Sequence, residues 1–365
     1  MKLKLLLFNL ILCLTFVSCI KDEAPNAEAD ILTCQVPGDI LKMDPIITND
    51  KITILVKKDT PMDKLAPEFT LTPGASIDPA SGKERDFTTP QYYTVTSQDG
   101  KWKKKYEVTF IDAGISTIYH FEDFRLNDNN KYQIFYEKDA KGNNIMDWAS
   151  GNPGYALTGT PESKTPSGFP TVSADGGKEG KCLKLETKST GPFGEGMGMP
   201  IAAGNLFMGK FDVLSALTNA LKATKFGMPF EFVPTYLTGY YKYKAGSVFS
   251  EDGKPVDNKT DKCDIYAIFY ETDDKAKTLD GTNALTSPNL ISIARIDNQK
   301  ETDEWTQFYL PFISLPGKTI DKNKLAEGKY NISIVFSSSI EGDKFKGAVG
   351  STLYIDEVQL MYKEN

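Results

Sequence analysis

Two carboxylate pairs stand near the ends of the second half of the chain: Glu122 and Asp123 in HFEDF, and Asp356 and Glu357 in YIDEVQL. Carboxylate oxygens are the donors a hard cation such as calcium requires, so this set is the expected site of a structural calcium. Neighbouring residues of a strand face opposite sides, so only part of the set can point one way. A second group offers a different chemistry. Trp148, Asn152 and Tyr155 sit in DWASGNPGY, and Tyr241 and Tyr243 in TGYYKYKAG. Exposed aromatic rings stack on the C–H faces of sugars, and a rigid sheet presents them at little entropic cost. Trp148 lies in a polar segment, where a large ring has less reason to be buried. These five residues are therefore the expected ligand contacts. Packing in a core is the alternative for the tyrosines, which follow a strand pattern with Tyr240 and Lys242 on the opposite face. Trp305 begins a run in which Phe308, Leu310 and Phe312 alternate inward, and is expected in the core.

Catalytic signatures are absent. Glycoside hydrolysis usually needs two carboxyl groups about 5–5.5 Å or about 6.5–9.5 Å apart. Among 49 acidic residues a pair can always be proposed. The three-acid strand pattern E-x-D-x-x-E does not occur in YIDEVQL, and Asp264 and Glu271 are an odd number of residues apart. There is no GxSxG elbow, and a serine triad would depend on the single histidine, His120. His120 adjoins Phe121 at a strand start and is expected to be structural. Without a Cys/His cluster, zinc is not expected. The glycine-rich GPFGEGMGMPIAAGNLFMGKF lacks the arrangement of a phosphate cradle and reads as a long loop or bulged edge strand.

The elements that must position these residues are strands. Residues 31–112 alternate apolar and polar positions in ILTCQV, KITILVKK, FTLTP, YYTVTS and KKYEVTF, separated by turn sequences. Gln98-Asp99-Gly100-Lys101 is a hairpin signal, and Tyr92, Tyr93 and Tyr106 are expected to pack within that hairpin. About six or seven short strands in this block predict an immunoglobulin-like sandwich. After a joint at Asp112–Gly114, residues 115–365 are again strand-rich and predict a larger jelly roll. One short helix is expected within 211–224, where Val213, Leu214, Leu217 and Leu221 recur at helical spacing. The fold class is thus all-β, two successive sandwiches.

The N-terminus supplies an address. A basic start, Lys2 and Lys4, precedes an apolar run too short to span a bilayer, which takes roughly 20 residues. Residues 1–18 read as a signal peptide. Phe16-Val17-Ser18-Cys19 resembles a bacterial lipobox, which implies lipidation at Cys19 and acyl-chain anchoring. Lys21-Asp22-Glu23 resembles the export signal of Bacteroidota lipoproteins that face the exterior of the outer membrane, and residues 19–30 form a polar tether. The formal charge of −7 becomes −9 when Lys2 and Lys4 are lost. An acidic chain without a basic stripe argues against nucleic acid, and leaves membrane contact to the lipid anchor. Cys34, Cys182 and Cys263 remain. Buried free thiols are expected, with a Cys182–Cys263 bridge as the alternative.

The segment from TLTPGASIDPASG to KKKYEVTF resembles the small Ig-like domains that follow the anchor in gut Bacteroidota surface lipoproteins, where it implies a spacer. GNPGYA, MPIAAGNLFMGKF, EWTQFYLPF and IVFSSSIEGDKFKGAVGSTLYIDEVQL together resemble the putative carbohydrate metabolism domain of the same group, over roughly 115–363. That resemblance implies a jelly roll like those of carbohydrate-binding modules and an association with glycan handling, with no catalytic residues to carry over. The expected function is non-catalytic glycan capture at the outer-membrane surface. The expected partners are a polysaccharide or oligosaccharide and an outer-membrane glycan importer. A glycoside hydrolase, and an adhesin that binds protein by β-augmentation, are the alternatives.

Overall fold

The structure is a computed structural model that describes residues 25–42, 44–57, 60–111 and 116–363. The signal peptide, Cys19, the acidic signal at 21–23 and the joint at 112–114 lie outside the described residues. No helix among the described residues is long and apolar enough to cross a membrane.

The N-terminal module is a five-stranded sheet faced by a two-stranded ribbon, Ile31–Gln35 with Glu68–Leu71. Gln91–Thr96 and Lys103–Ile111 form the predicted hairpin, Thr96 opposite Lys103. Its turn places Gly100 at φ +72°, a conformation that costs glycine little. Val95, Val108, Tyr93 and Tyr106 fill the core, while Tyr92 on the other face stays exposed and donates to Glu107 at 3.0 Å. Ile46 and Leu55 of this module pack with Ile145 of the next.

The larger module is built from two antiparallel sheets, here called the platform sheet and the cleft sheet. The platform sheet runs Thr171–Asp175, Lys181–Glu186, Thr352–Lys363, Val233–Lys244, Thr302–Pro311, with Ile118–Tyr119 also paired to Thr352–Lys363. The first and last strands of the module therefore lie side by side, as a jelly roll requires. The cleft sheet runs Asn205–Phe207, Tyr330–Ser337, Asp264–Glu271, Leu290–Arg295, Ile313–Ser314. Leu237, Phe308, Ile355 and Val358 of one sheet meet Ile265, Phe269, Ile332 and Phe336 of the other in a single core.

The cleft sheet is buried on both faces. Ile265, Ala267 and Phe269 point inward, whereas Tyr266, Ile268 and Tyr270 point outward and are covered by residues 209–227 and 273–289. These two excursions are tied together by reciprocal backbone bonds between Phe226 and Leu279, at 2.7 and 3.2 Å. The predicted helix is present but shorter, Val213–Thr218, with Asp212 as its N-cap accepting from Leu214 and Ser215. Further helical turns occur at Asn152–Tyr155, Gly191–Gly196 and Lys322–Ala326. Cys34, Cys182 and Cys263 are free and buried.

Candidate functional site

Between the two excursions the outer face of the cleft sheet opens into a cleft of about 600 Å³. Its floor follows from strand register. Tyr266 lies opposite Val335 on one neighbour and Arg295 on the other, and Asp264 lies opposite Ser337. With a two-residue period, Asp264 and Tyr266 share the outward face. Arg295 reaches Asp264 through two bonds, Nε to Oδ1 at 3.0 Å and Nη2 to Oδ2 at 2.7 Å. Its guanidinium carbon lies 5.7 Å from the centre of the Tyr266 ring. Burial pushes the Asp264 pKa up despite this opposing pair. The pair is therefore a fixed, partly desolvated donor and acceptor group rather than a surface ion pair.

A second carboxyl, Asp343, lines the same cleft from the turn Gly342–Lys344. Water reaches it, yet the crowding of the cleft walls raises its pKa, with Lys344 opposing the shift. The turn sits close against the strand entrance: a Cβ on Gly342 would come within 2.4 Å of the Ala203 side chain.

The walls are apolar. The helix Val213–Thr218 contributes Ala216 and Leu217, and the turn Gly191–Gly196 contributes Phe193 and Gly194. Leu157, Phe193, Met197 and Leu217 remain exposed around the mouth. The glycine-rich segment thus builds a wall of the cleft, in keeping with its reading as a loop rather than a phosphate cradle.

The expected ligand residues are distributed differently. Trp148 is 3% exposed, packed edge-on against Tyr119 at 5.1 Å, and its Nε1 donates to Glu137 Oε1 at 2.9 Å. Burial pushes the Glu137 carboxyl up to about 7. Asn152 is fully buried and clamps Thr171 in both directions, donating to its carbonyl at 2.8 Å and accepting from its N–H at 3.2 Å. Tyr155 is buried in the cleft wall, its hydroxyl donating to the Ser189 carbonyl. Tyr241 and Tyr243 are 4% and 2% exposed and belong to the face that enters the core. The expectation of exposed rings at Trp148, Tyr155, Tyr241 and Tyr243 is corrected on this point. A local polar sequence does not keep a ring in water when Tyr119, Phe121 and Phe336 surround it. Trp305, expected in the core, is half-buried on the outer face instead.

The calcium carboxylates also have other work. Asp356 is fully buried and accepts from the N–H groups of Lys178, Glu179 and Glu357 at 2.6, 3.2 and 2.9 Å. Burial pushes it up to about 6. Glu122 accepts from Lys181 N at 2.8 Å. Asp123 pairs with Lys138 at 2.7 Å. Glu357 holds His120 Nδ1 at 2.8 Å, which raises the His120 pKa. A bulge at 356–357, with Glu357 at φ +48°, turns it aside from Asp356. Opposite it a Cβ on Gly239 would lie 2.8 Å from Phe308 and Val358, so only glycine fits. Among the described residues no group of three or more metal-ligand side chains converges. Asp356 and Glu122 instead tie down the loop 178–181.

Residues 120–361 match the family described as Putative carbohydrate metabolism domain. The chain belongs to that family. Residues 31–110 match the family described as SGBP, N-terminal. The chain is also similar to a crystal structure described as "a putative glycoside hydrolase" from Bacteroides thetaiotaomicron VPI-5482, with 62% identity and a TM-score of 0.82, covering 94% of this chain and 100% of that one. A second structure with the same description, from Bacteroides vulgatus ATCC 8482, shows 47% identity and a TM-score of 0.65, covering 68% and 99%. No curated protein matches. The cleft lies wholly within the Putative carbohydrate metabolism domain, and its residues span 151–345. All of its lining residues come from that domain.

Proposed function

We propose that the protein is a surface lipoprotein, anchored through Cys19 in the outer membrane, that binds glycan chains in the cleft for delivery to an outer-membrane importer. The observation that carries the binding reading is the cleft itself. A volume of about 600 Å³ suits a few sugar rings. Its apolar walls offer surface to the C–H faces of pyranoses, and the Asp264–Arg295 pair beside Tyr266 offers hydroxyl partners already held in place. Preorganised donors of this kind bind with little ordering cost. The match of residues 31–110 to the SGBP, N-terminal family supports a surface glycan role, with the small sandwich as spacer.

A hydrolytic reading has one observation in its favour. Asp343 combines a raised pKa with solvent contact in the cleft, beside the Asp264–Arg295 pair. A carboxyl shifted this way keeps its proton to a higher pH than an ordinary aspartate, which is the direction a general acid needs. One experiment separates the two. Polysaccharide retention and product analysis are run together on the wild-type protein, Phe193→Ala/Leu217→Ala and Asp343→Asn. Binding without catalysis predicts retention without new reducing ends, weakened at least about tenfold in the double variant, or about 1.4 kcal/mol. Product formation abolished by Asp343→Asn would replace binding with hydrolysis. Unchanged retention in the double variant would remove the ligand from the cleft.

A further inference from the structure

The outward face of the platform sheet holds a second group of rings and charges that the cleft does not use. Tyr236, Thr238, Tyr240, Lys242 and Lys244 alternate outward along Val233–Lys244. Across this face Tyr236 stacks on Tyr309, with centroids 4.4 Å apart, and Lys178 Nζ lies 4.9 Å from the Tyr240 ring. At the far end is a cavity of about 310 Å³ walled by Trp305, Tyr354, Lys242, Lys244, Thr302 and Asp303.

The cavity is built by a bulge. Tyr241 pairs with Thr306, but Tyr243 pairs with Thr302, so the edge strand carries extra residues opposite Lys242. Such an insertion bends the strand and re-aims a side chain. Thr302 and Thr306 lock it: both hydroxyls donate to the Glu304 carbonyl, at 2.9 and 3.1 Å, and Glu304 N donates back to Thr302 Oγ1 at 3.1 Å. Trp305 is thereby held over Lys242, whose Nζ lies 4.7 Å from its ring centre. Tyr354 stands directly opposite Lys242 on the other side.

We infer that this face is a second glycan site, in which an extended chain crosses the rings of Tyr236, Tyr240 and Trp305 and a carboxylated sugar seats in the cavity beside Lys242 and Lys244. Six residues of strand, at about 3.3 Å each, give a track of about 20 Å, long enough for several sugar units. The rings supply stacking surface between polar side chains, which suits a pyranose better than a protein partner. Neither Lys242 nor Lys244 has an ion-pair partner among the described residues, while Asp175 at the rim is taken by Lys181 at 2.8 Å. Asp303 is the remaining acid, so the two lysines outnumber it and favour an anionic ring. The inference rests on the glycan reading but on a different face. Two sites on one module would hold a long chain more tightly than either alone.

The test is a titration of the protein with polygalacturonate and with neutral galactan of similar length. Wild type is compared with Trp305→Ala, Trp305→Phe, Lys242→Met and the cleft variant Phe193→Ala/Leu217→Ala. A second site predicts at least about a tenfold loss of polygalacturonate affinity in Trp305→Ala, near recovery in Trp305→Phe, which keeps a stacking ring, and a loss in Lys242→Met confined to polygalacturonate. Tight galactan binding by wild type that Lys242→Met leaves unchanged, with no polygalacturonate binding, overturns the anionic assignment. Trp305→Ala behaving as wild type while the cleft variant loses affinity overturns the second site and leaves the cleft reading standing. Loss in Trp305→Ala alone supports the second site and removes the ligand from the cleft. Retention of other glycans, with neither polysaccharide bound, sinks the inference without touching the proposed function.

Discussion

The two sheets of the large module use one architecture to opposite ends. In the cleft sheet, Asp264–Glu271 and Tyr330–Ser337 are buried at every position but the last, with no alternation. In the platform sheet, Val233–Lys244 alternates between buried and half-exposed along most of its length. Both sheets are antiparallel, so strand direction does not explain the contrast. The cover does: residues 209–227 and 273–289 lie over one outer face, whereas among the described residues the outward positions of Val233–Lys244 stay at least partly exposed. An antiparallel sheet with one wet face reads as alternation; a sheet covered on both sides reads as a continuous apolar run. A covered face creates a binding space where the cover parts. A bare face must carry its binding groups on the strands themselves.

The strongest way to break this comparison is Ile268→Ala. Ile268 is on the outward face of the cleft sheet and fully buried among Phe226, Leu279 and Val335. Its truncation should cost about 2–5 kcal/mol, as in any well-packed core. The midpoint of urea unfolding measures it. A cost under about 0.5 kcal/mol would mean that the excursions do not pack on the sheet, and the distinction between the faces would fall.

The seam between the sheets sharpens it next. Glu137 and Trp148 close the core there, and the pKa values give a sign. Glu137 rises from an ordinary 4.5 to about 7 and Asp356 from 3.8 to about 6. Between about pH 4 and pH 7 the folded protein therefore holds protons that the unfolded chain has released. These groups make stability fall as pH rises through that window and leave it flat above. Glu137→Gln keeps an acceptor for Trp148 but has no charge to desolvate. It should flatten part of the slope and stabilise the protein at pH 8 by on the order of 1 kcal/mol, discounted because Glu137 is only partly shielded from water. Unfolding free energies at pH 5 and pH 8 decide the matter, and an unchanged slope in the variant would mean that Glu137 is not desolvated in the fold.

The same contrast explains what the sequence made legible. The two sandwiches and the Gln98–Lys101 hairpin followed from alternation and turn residues, which are local. The choice of face on Val233–Lys244 did not. Period two separates Tyr241 and Tyr243 from Tyr240 and Lys242 but does not say which set enters the core. The signal that could have decided it was present: Leu237 falls with Tyr241, whereas Thr238, Lys242 and Lys244 fall with Tyr240. Trp148 was misplaced because its neighbours in sequence are polar, while the groups that bury it, Tyr119, Phe121 and Phe336, come from distant strands. Asp264 and Arg295 were equally hidden, since their pairing depends on the register that sets Tyr266 opposite Arg295. Asp343 reaches the same cleft from a turn that no periodicity announces.

The smallest expected effect is the most discriminating. Tyr309 is about half exposed on the outer face of the platform sheet and stacks diagonally on Tyr236. Such a cross-strand pair is worth roughly 0.2–1 kcal/mol, so Tyr309→Ala should lower stability by about 0.5 kcal/mol. The corresponding change on the covered face, Ile268→Ala, should cost several times more although isoleucine is the smaller side chain. The ratio of the two, measured in one buffer, tests the comparison free of any assumption about ligand. If Tyr309→Ala cost as much as Ile268→Ala, the rings of the platform would be structural, with little freedom to meet a sugar. If it costs little, they are held in water by the sheet at a small energetic expense, and a bound chain is the occupant that would bury them.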